Sequence, residues 1–467
     1  MKKILSNSLF LLVSFLSAQQ TDSLALSFEE YLGYVKKYHP IVKQSELVVN
    51  TGEATLMKAR GGFDPNITID YNQKRFKGIE YYELLDATFK IPTWYGIELK
   101  ANFEQNEGAF LNPERSVPDD GLFSAGVSIP IAQGFLINER MATLKKARFF
   151  REQVKADRDI LVNQILYEAA LAYFNWLRTY NELKIYQDFL ENAKIRYEGV
   201  KKSVIAGDKA AIDSVEAGIA YQNRALNLEQ AKLAITKAGL ELSNFLWLND
   251  DTPVELQPNV VPGIPVEEAI DNVFGIENII FDNFSIEDHP KLKSLNYKIE
   301  GLTIDKKLKA NKLLPKIDLE YNFITESPEI ARSFNTDEYK GGISFKLPLF
   351  LRKERGDLKL ANYKVQDAQF EIEVTEIRIY NKVIASYNEI DSLKEQRKLI
   401  ENITTNYEAL LTAEERKFSF GESSLFIVNS RERSLIDAKL KQNELQNKYY
   451  NAKANLFNIL AVNPNNL

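Results

Sequence analysis

The chain has 467 residues, no cysteine and a formal net charge of −6 at neutral pH. No disulfide framework, Cys-ligated metal or thiol nucleophile is available to it. Its acidic balance makes it a poor nucleic-acid binder.

Residues 1–18 read as a secretory signal: Lys2 and Lys3, an apolar run from Leu9 to Leu16, then Leu16-Ser17-Ala18 before Gln19. Removing them brings the charge to about −8. No other stretch approaches the roughly 18 apolar residues of a membrane helix, so any passage through a bilayer must use strands.

Residues 19–248 form a first unit. A helical pattern runs from Pro40 to Arg60 and stops at Gly61-Gly62, and strands fill about 65–131. One long helix is expected over 135–206, Gly207 breaks it, and a return helix follows over 209–248. Trp176, Tyr180, Leu183, Tyr186, Leu190, Ala193, Tyr197, Val200 and Val204 repeat in steps of three and four, a coiled-coil stripe. At 1.5 Å per residue the long helix reaches roughly 100 Å. Its length nearly equals that of the short and return helices together, so those two are expected to stack end to end beside it.

The segment 249–289 carries Pro253, Pro258, Pro262 and Pro265 and reads as a connector on the outside of the helices, with a short helix near Val266. Residues 290–467 then repeat the first unit: a helix, strands over about 315–350, a long helix over 352–418 and a return helix over 422–461. At one constant offset His39-Pro40 falls on His289-Pro290, Pro65 on Pro315, Tyr71 on Tyr321 and Asn72 on Asn322. The chain reads as an internal duplication.

In the strand blocks apolar and polar residues alternate. Ile97, Leu99, Ala101 and Phe103 interleave with Glu98, Lys100 and Asn102; Phe123, Ala125, Val127 and Ile129 with Ser124, Gly126 and Ser128. Ile317, Leu319, Tyr321 and Phe323 interleave with Asp318, Glu320 and Asn322, and Tyr339, Ile343 and Phe345 with Lys340 and Ser344. Runs of about 9–11 residues with this pattern suit a transmembrane barrel, lipid on one face and a wet lumen on the other. A half-buried soluble sheet shares the period. A sheet in lipid must close on itself, and the smallest barrels have about eight strands. One chain offers four strands, or six with 67–72 and 84–91, so a barrel requires several copies; a trimer supplies 12 or 18. Tyr82, Trp94, Tyr95, Tyr321 and Tyr339 are candidates for the aromatic girdles at the membrane interface.

There is no phosphate-binding loop, no His-Glu-x-x-His and no nucleophile elbow. His39 and His289, the only histidines, each precede a proline at a helix start and read as boundary residues rather than metal ligands. No catalytic, cofactor or metal site is expected.

Signal, duplicated unit, strand hairpins between long helices, Ser128-Ile129-Pro130-Ile131 and Lys346-Leu347-Pro348-Leu349 at the strand exits, and Gly-x-x-x-x-x-Asp at the helical turn together resemble the TolC-type outer-membrane efflux family. The likeness runs along nearly the whole mature chain. It implies a mainly α protein with transmembrane β: a β-barrel built from strands of each protomer of a homotrimer, continued by a long coiled-coil α-helical barrel in the periplasm. It implies a passive conduit held in outer-membrane lipid, working with a periplasmic adaptor (a membrane fusion protein) and an inner-membrane transporter, and binding no nucleic acid. The turns Gly207, Asp208, Lys209 and Gly421, Glu422, Ser424 become the adaptor-docking tips, though capping alone also accounts for them. The family's periplasmic gate uses acids just beyond the tip glycine. Asp213 and Glu216 take those places in the first unit; Ile427 and Ser430 take them in the second, leaving open an acidic or an apolar constriction. Asp213 and Glu216 also suit the first turn of any helix. The other reading of the chain is a soluble periplasmic coiled-coil adaptor or structural protein.

Overall fold

The computed structural model describes residues 24–263, 266–276, 285–327, 329 and 335–462. The signal expected over 1–18 lies outside them. Two 68-residue helices dominate, α3 (Glu139–Ala206) and α7 (Arg352–Ser419), each roughly 100 Å long. Neither contains proline. Asn138 starts α3 by accepting the Met141 N–H at 2.9 Å, so the helix begins at Glu139 rather than 135.

The shorter helices pair up end to end. α2 (Pro40–Arg60) and α4 (Ala211–Ser243) lie along α3, while α6 (Pro290–Asn311) and α8 (Leu425–Leu460) lie between α3 and α7. The layer therefore runs α2-α3-α6-α7 near the sheet and α4-α3-α8-α7 at the far end. Each joint is closed by a histidine. His39 Nδ1 accepts the Ile41 N–H at 3.2 Å, capping α2, and the same ring bonds the backbone of Asn244 at the end of α4. His289 Nδ1 accepts the Lys291 N–H at 3.0 Å, capping α6, and its Nε2 lies 3.0 Å from the Ile459 carbonyl of α8.

An outer pad clasps the middle of the helices. It contains α1 (Phe28–Tyr38), α5 (Val266–Phe274) and a parallel pair, β1 (Leu24–Leu26) with β6 (Val260–Pro262). Phe28 stacks on Phe174 at 5.0 Å and Phe274 on Phe457 at 4.4 Å, so burial of large rings fixes the pad. The connector was expected on the outside; α1 and β1 extend the pad with residues not assigned there. Ser27 caps α1, Glu29 and Glu30 open it and Lys36 and Lys37 close it.

Six strands form one antiparallel sheet in the order β2-β3-β4-β5-β7-β8. They are β2 (Asn66–Phe76), β3 (Ile79–Pro92), β4 (Glu98–Glu107), β5 (Leu122–Pro130), β7 (Lys316–Thr325) and β8 (Tyr339–Lys346). Lys77 and Gly78 join β2 to β3 with positive φ at both positions, the geometry of a two-residue hairpin. Among the described residues no helix is long and apolar enough to cross a membrane.

Candidate functional site

Cross-strand partners share a face, so the registers sort the whole sheet into two surfaces. One carries Ile67, Ile69 and Tyr71; Leu85, Ala87, Phe89 and Ile91; Leu99, Ala101 and Phe103. It continues through Phe123, Ala125, Val127 and Ile129; Ile317, Leu319, Tyr321 and Phe323; Tyr339, Ile343 and Phe345. The opposite surface carries Thr68, Asp70, Thr88, Lys90, Glu98, Lys100, Asn102, Ser124, Ser128, Asp318, Glu320, Lys340 and Ser344. No charge interrupts the apolar surface between Ile67 and Tyr71 at one edge or between Ile343 and Phe345 at the other.

The polar surface is concave. Lys340 of β8 reaches Glu104 of β4 at 3.2 Å, across β5 and β7. A flat sheet would hold those strands about 14 Å apart. Lys100 of β4 likewise bridges β5 to Glu320 of β7 at 2.7 Å. Between them Gly126 leaves room: a Cβ there would lie 2.1 Å from the Tyr321 carbonyl oxygen. The surface thus has the curvature and polarity of a channel wall, seen from inside. Its two end strands, β2 and β8, are exposed throughout.

The girdle candidates divide. Tyr321 and Tyr339 stack at 5.3 Å on the apolar face. Tyr95 lies exposed in the turn after β3, beside Phe135. Trp94 instead stacks on Phe63, receives the Lys145 ammonium over its ring and is tied through its carbonyl to Asn138, so it anchors the sheet to the helices. Tyr82 pairs with Lys74 in phase with Asp86 and Thr88, on the polar side.

At the far end α3 stops where Gly207 takes φ +83° and Asp208 donates back to the Ser203 carbonyl at 2.9 Å. α7 stops at Phe420-Gly421, with Gly421 at φ +79°, and Ser424 caps α8. The two turns touch: the Lys209 ammonium sits 3.8 Å from the Phe418 ring centroid. Glu422 and Ser424 are exposed beside them. Asp213 lies in the first turn of α4, its N–H donated to the Ala210 carbonyl. Glu216 accepts from the Asn429 amide of α8 at 3.3 Å. Ile427 and Ser430 are exposed, outside the seam formed by Leu425, Val428 and Leu435. Glu216 therefore touches the second unit, whereas Ile427 and Ser430 remain exposed.

Just above the tip lies a cluster that sequence reasoning missed. The Glu432 carboxylate, 1 % exposed, meets Arg196 at 3.1 Å and Arg224 at 3.3 Å, and Arg196 also meets Glu415 at 3.0 Å. The four residues come from α8, α3, α4 and α7. The signal was present in the spacing: Glu432 continues Leu425 and Val428 to Leu435, Arg224 continues Ala217 to Ala231 and Ala238, and Arg196 lies between Ala193 and Val200. Glu432 and Arg224 occupy core positions of a coiled-coil repeat, and Arg196 flanks one.

Residues 285–462 match the family model described as outer membrane efflux protein. No curated protein matches the chain by sequence. Solved channels share its fold: the Campylobacter jejuni CmeC outer membrane channel (14% identity, TM-score 0.64, 93% of this chain and 85% of that one). The open state of the Neisseria gonorrhoeae MtrE outer membrane channel is similar at 12% identity and TM-score 0.65, covering 93% and 88%. The Vibrio cholerae outer membrane protein VceC is similar at 12% and 0.64, covering 93% and 96%. The chain shares the fold of these outer-membrane channels, and its C-terminal segment matches the efflux-protein model.

Proposed function

We propose that three copies of this duplicated chain close into one conduit, a β-barrel in the outer membrane above an α-helical barrel in the periplasm, passing cargo outward without chemistry of its own. The sheet carries this reading, apolar on its convex side, polar on its concave side and open at both ends. Lipid satisfies the first surface, water the second, and only pairing with further copies satisfies the edges. The helical layer ends in the same way. On α4, Ile212, Ile219, Leu226, Leu233 and Leu240 recur every seventh residue, each at least half exposed, and on α7 Tyr363, Phe370 and Ile377 do likewise. Apolar stripes on both edge helices, on α4 at the far end and on α7 toward the sheet, suit contact between neighbouring copies. A soluble adaptor would leave both the sheet face and the stripes in water.

Within that assembly Gly207, Asp208, Lys209, Gly421, Glu422 and Ser424 form the end that meets a periplasmic adaptor, through which an inner-membrane transporter supplies the energy. Asp213 and Glu216 bond across the closed tip, while three copies of Ile427, flanked by Ser430, narrow it; a narrow apolar ring gates by dewetting. Purified protein should require detergent, migrate as a heat-sensitive trimer and conduct in a planar bilayer. A monomer soluble without detergent and silent in the bilayer refutes the conduit. Opening of the closed state by Ile427→Asp and Asp213→Ala tests the gate; unchanged leakage in both removes it.

A further inference from the structure

Two linkers carry the chain from the sheet into the long helices, 131–138 between β5 and α3 and 347–351 between β8 and α7. Both leave apolar side chains bare. In the first, Ile131 is 52% and Leu136 75% exposed; in the second, Leu349 is 88% and Phe350 71% exposed. Ile131 still donates its N–H to the Ile317 carbonyl at 2.8 Å and keeps the parity of Val127 and Ile129, so it prolongs the apolar surface of the sheet. This first linker lies inside the chain's own layer, since β5 sits between β4 and β7, and α3 between α2 and α6. Its bare side chains are therefore not one edge of a seam between copies. The second linker repeats the pattern at the edge of the layer.

The second linker also brings charge. Directly after Phe350, α7 opens with Arg352, Lys353 and Arg355, all exposed, and the half-buried Glu354 is the one acid among them. Among the described residues none of these three bases forms an ion pair, and Arg352 lies over the Phe350 ring at 5.3 Å. Bases in the first turn oppose the helix dipole, so they do not serve the helix. Bare aliphatic and aromatic side chains followed at once by unpaired bases are the composition of a segment lying at a lipid surface. There the apolar groups reach the acyl boundary and the bases meet phosphate.

We infer that the two linkers form a foot in the periplasmic leaflet of the outer membrane, with Ile131, Leu136, Leu349 and Phe350 at the acyl boundary and Arg352, Lys353 and Arg355 on the headgroups of anionic phospholipid. The inference rests on the reading that the convex surface of the sheet faces lipid. The foot stands where that surface ends and the helices begin, and unpaired bases attract anionic lipid in preference to neutral lipid. It fixes the depth of the sheet. Sinking further would drag the bases toward hydrocarbon, and rising would return the apolar side chains to water.

The absence of cysteine allows a single fluorescent label at Leu136→Cys, at Phe350→Cys or, as a control on the apolar surface of β3, at Phe89→Cys. Each labelled protein is reconstituted in phosphatidylcholine vesicles containing either spin-labelled phosphatidylglycerol or spin-labelled phosphatidylcholine. The nitroxide sits near the head or in the middle of the acyl chain. Labels at Leu136 and Phe350 are expected to be quenched by the nitroxide near the head more than by the one in mid-chain. At Phe350, phosphatidylglycerol is expected to quench severalfold better than phosphatidylcholine. That preference should vanish when Arg352→Gln, Lys353→Gln and Arg355→Gln are combined, while quenching at Phe89 stays unchanged. Quenching at Phe89 with none at Leu136 overturns the foot. Quenching at Leu136 with none at Phe350 places Phe350 under a neighbouring copy, and also overturns it. Equal quenching by the two lipids at Phe350, or a preference that survives the triple substitution, overturns the role of the bases. A label at Phe89 that neither lipid quenches fails the underlying reading of the sheet instead.

Discussion

Glu432 is the residue on which the far end of the helical layer turns. A buried carboxylate between two guanidiniums adds little net stability, but removing one partner leaves charge stranded. Glu432→Ala should therefore cost about 3–5 kcal/mol in denaturant titrations. Replacing Glu432, Arg196 and Arg224 together by leucine or methionine should restore or exceed native stability, at the risk of losing helix register. The histidines make a second residue-scale prediction. Burial lowers the pKa of both His39 and His289, against a smaller opposing effect of their backbone bonds to Asn244 and Ile459. Each Nδ1 must stay unprotonated to accept its N–H, so the folded state favours the neutral ring. Their stabilisation is thus complete above about pH 6.5, the ordinary histidine value, and is lost as pH falls through the depressed folded values. His39→Asn with His289→Asn keeps a capping side chain that does not titrate. Thermal melts of native protein should drop between pH 7 and 5, and this part of the drop should vanish in the double variant.

At the scale of elements, the tips and the β5–β7 contact respond differently to an added methyl group. Around Gly207 and Gly421 there is open space, so Gly→Ala incurs only the left-handed backbone penalty, about 1 kcal/mol each. Calorimetry should show small, separate losses with the channel still assembled. Gly126 has no such latitude, since its Cβ would enter backbone of β7. Gly126→Val should part β5 from β7 and abolish heat-sensitive oligomer on gels. The long helices were legible because uninterrupted stretches without proline have one regular solution at that length. Their first residues were less so: α4 begins at Ala211 and α8 at Leu425, after short turns whose hydrogen bonds decide where the first helical N–H lies. The helix α1 carries an N-cap, acids at its start and lysines at its end, so its local signal was complete. The pad that makes α1 matter is tertiary: Phe28 is buried against Phe174 and Phe274 from distant parts of the chain.

For the whole molecule, the expected behaviour is that of an assembly rather than a monomer. Dilution in detergent should expose the stripes on α4 and α7 and both sheet edges together, so dissociation and loss of conductance should coincide when followed by light scattering and bilayer recording. The alternation of Leu99 with Lys100, or Tyr321 with Glu320, already stated that one side of each strand is apolar, because successive side chains in a strand have no choice but to face opposite ways. It stated nothing about which strands are neighbours. That β5 meets β7, that Lys340 reaches Glu104 and that Tyr82 falls on the wet side depend on registers between segments far apart in the chain. The same holds for Glu432, whose place in a coiled-coil repeat was readable while its two arginines, on other helices, were not. Periodicity is a property of consecutive residues and survives in the linear string. Curvature and pairing arise only when distant elements share one set of contacts.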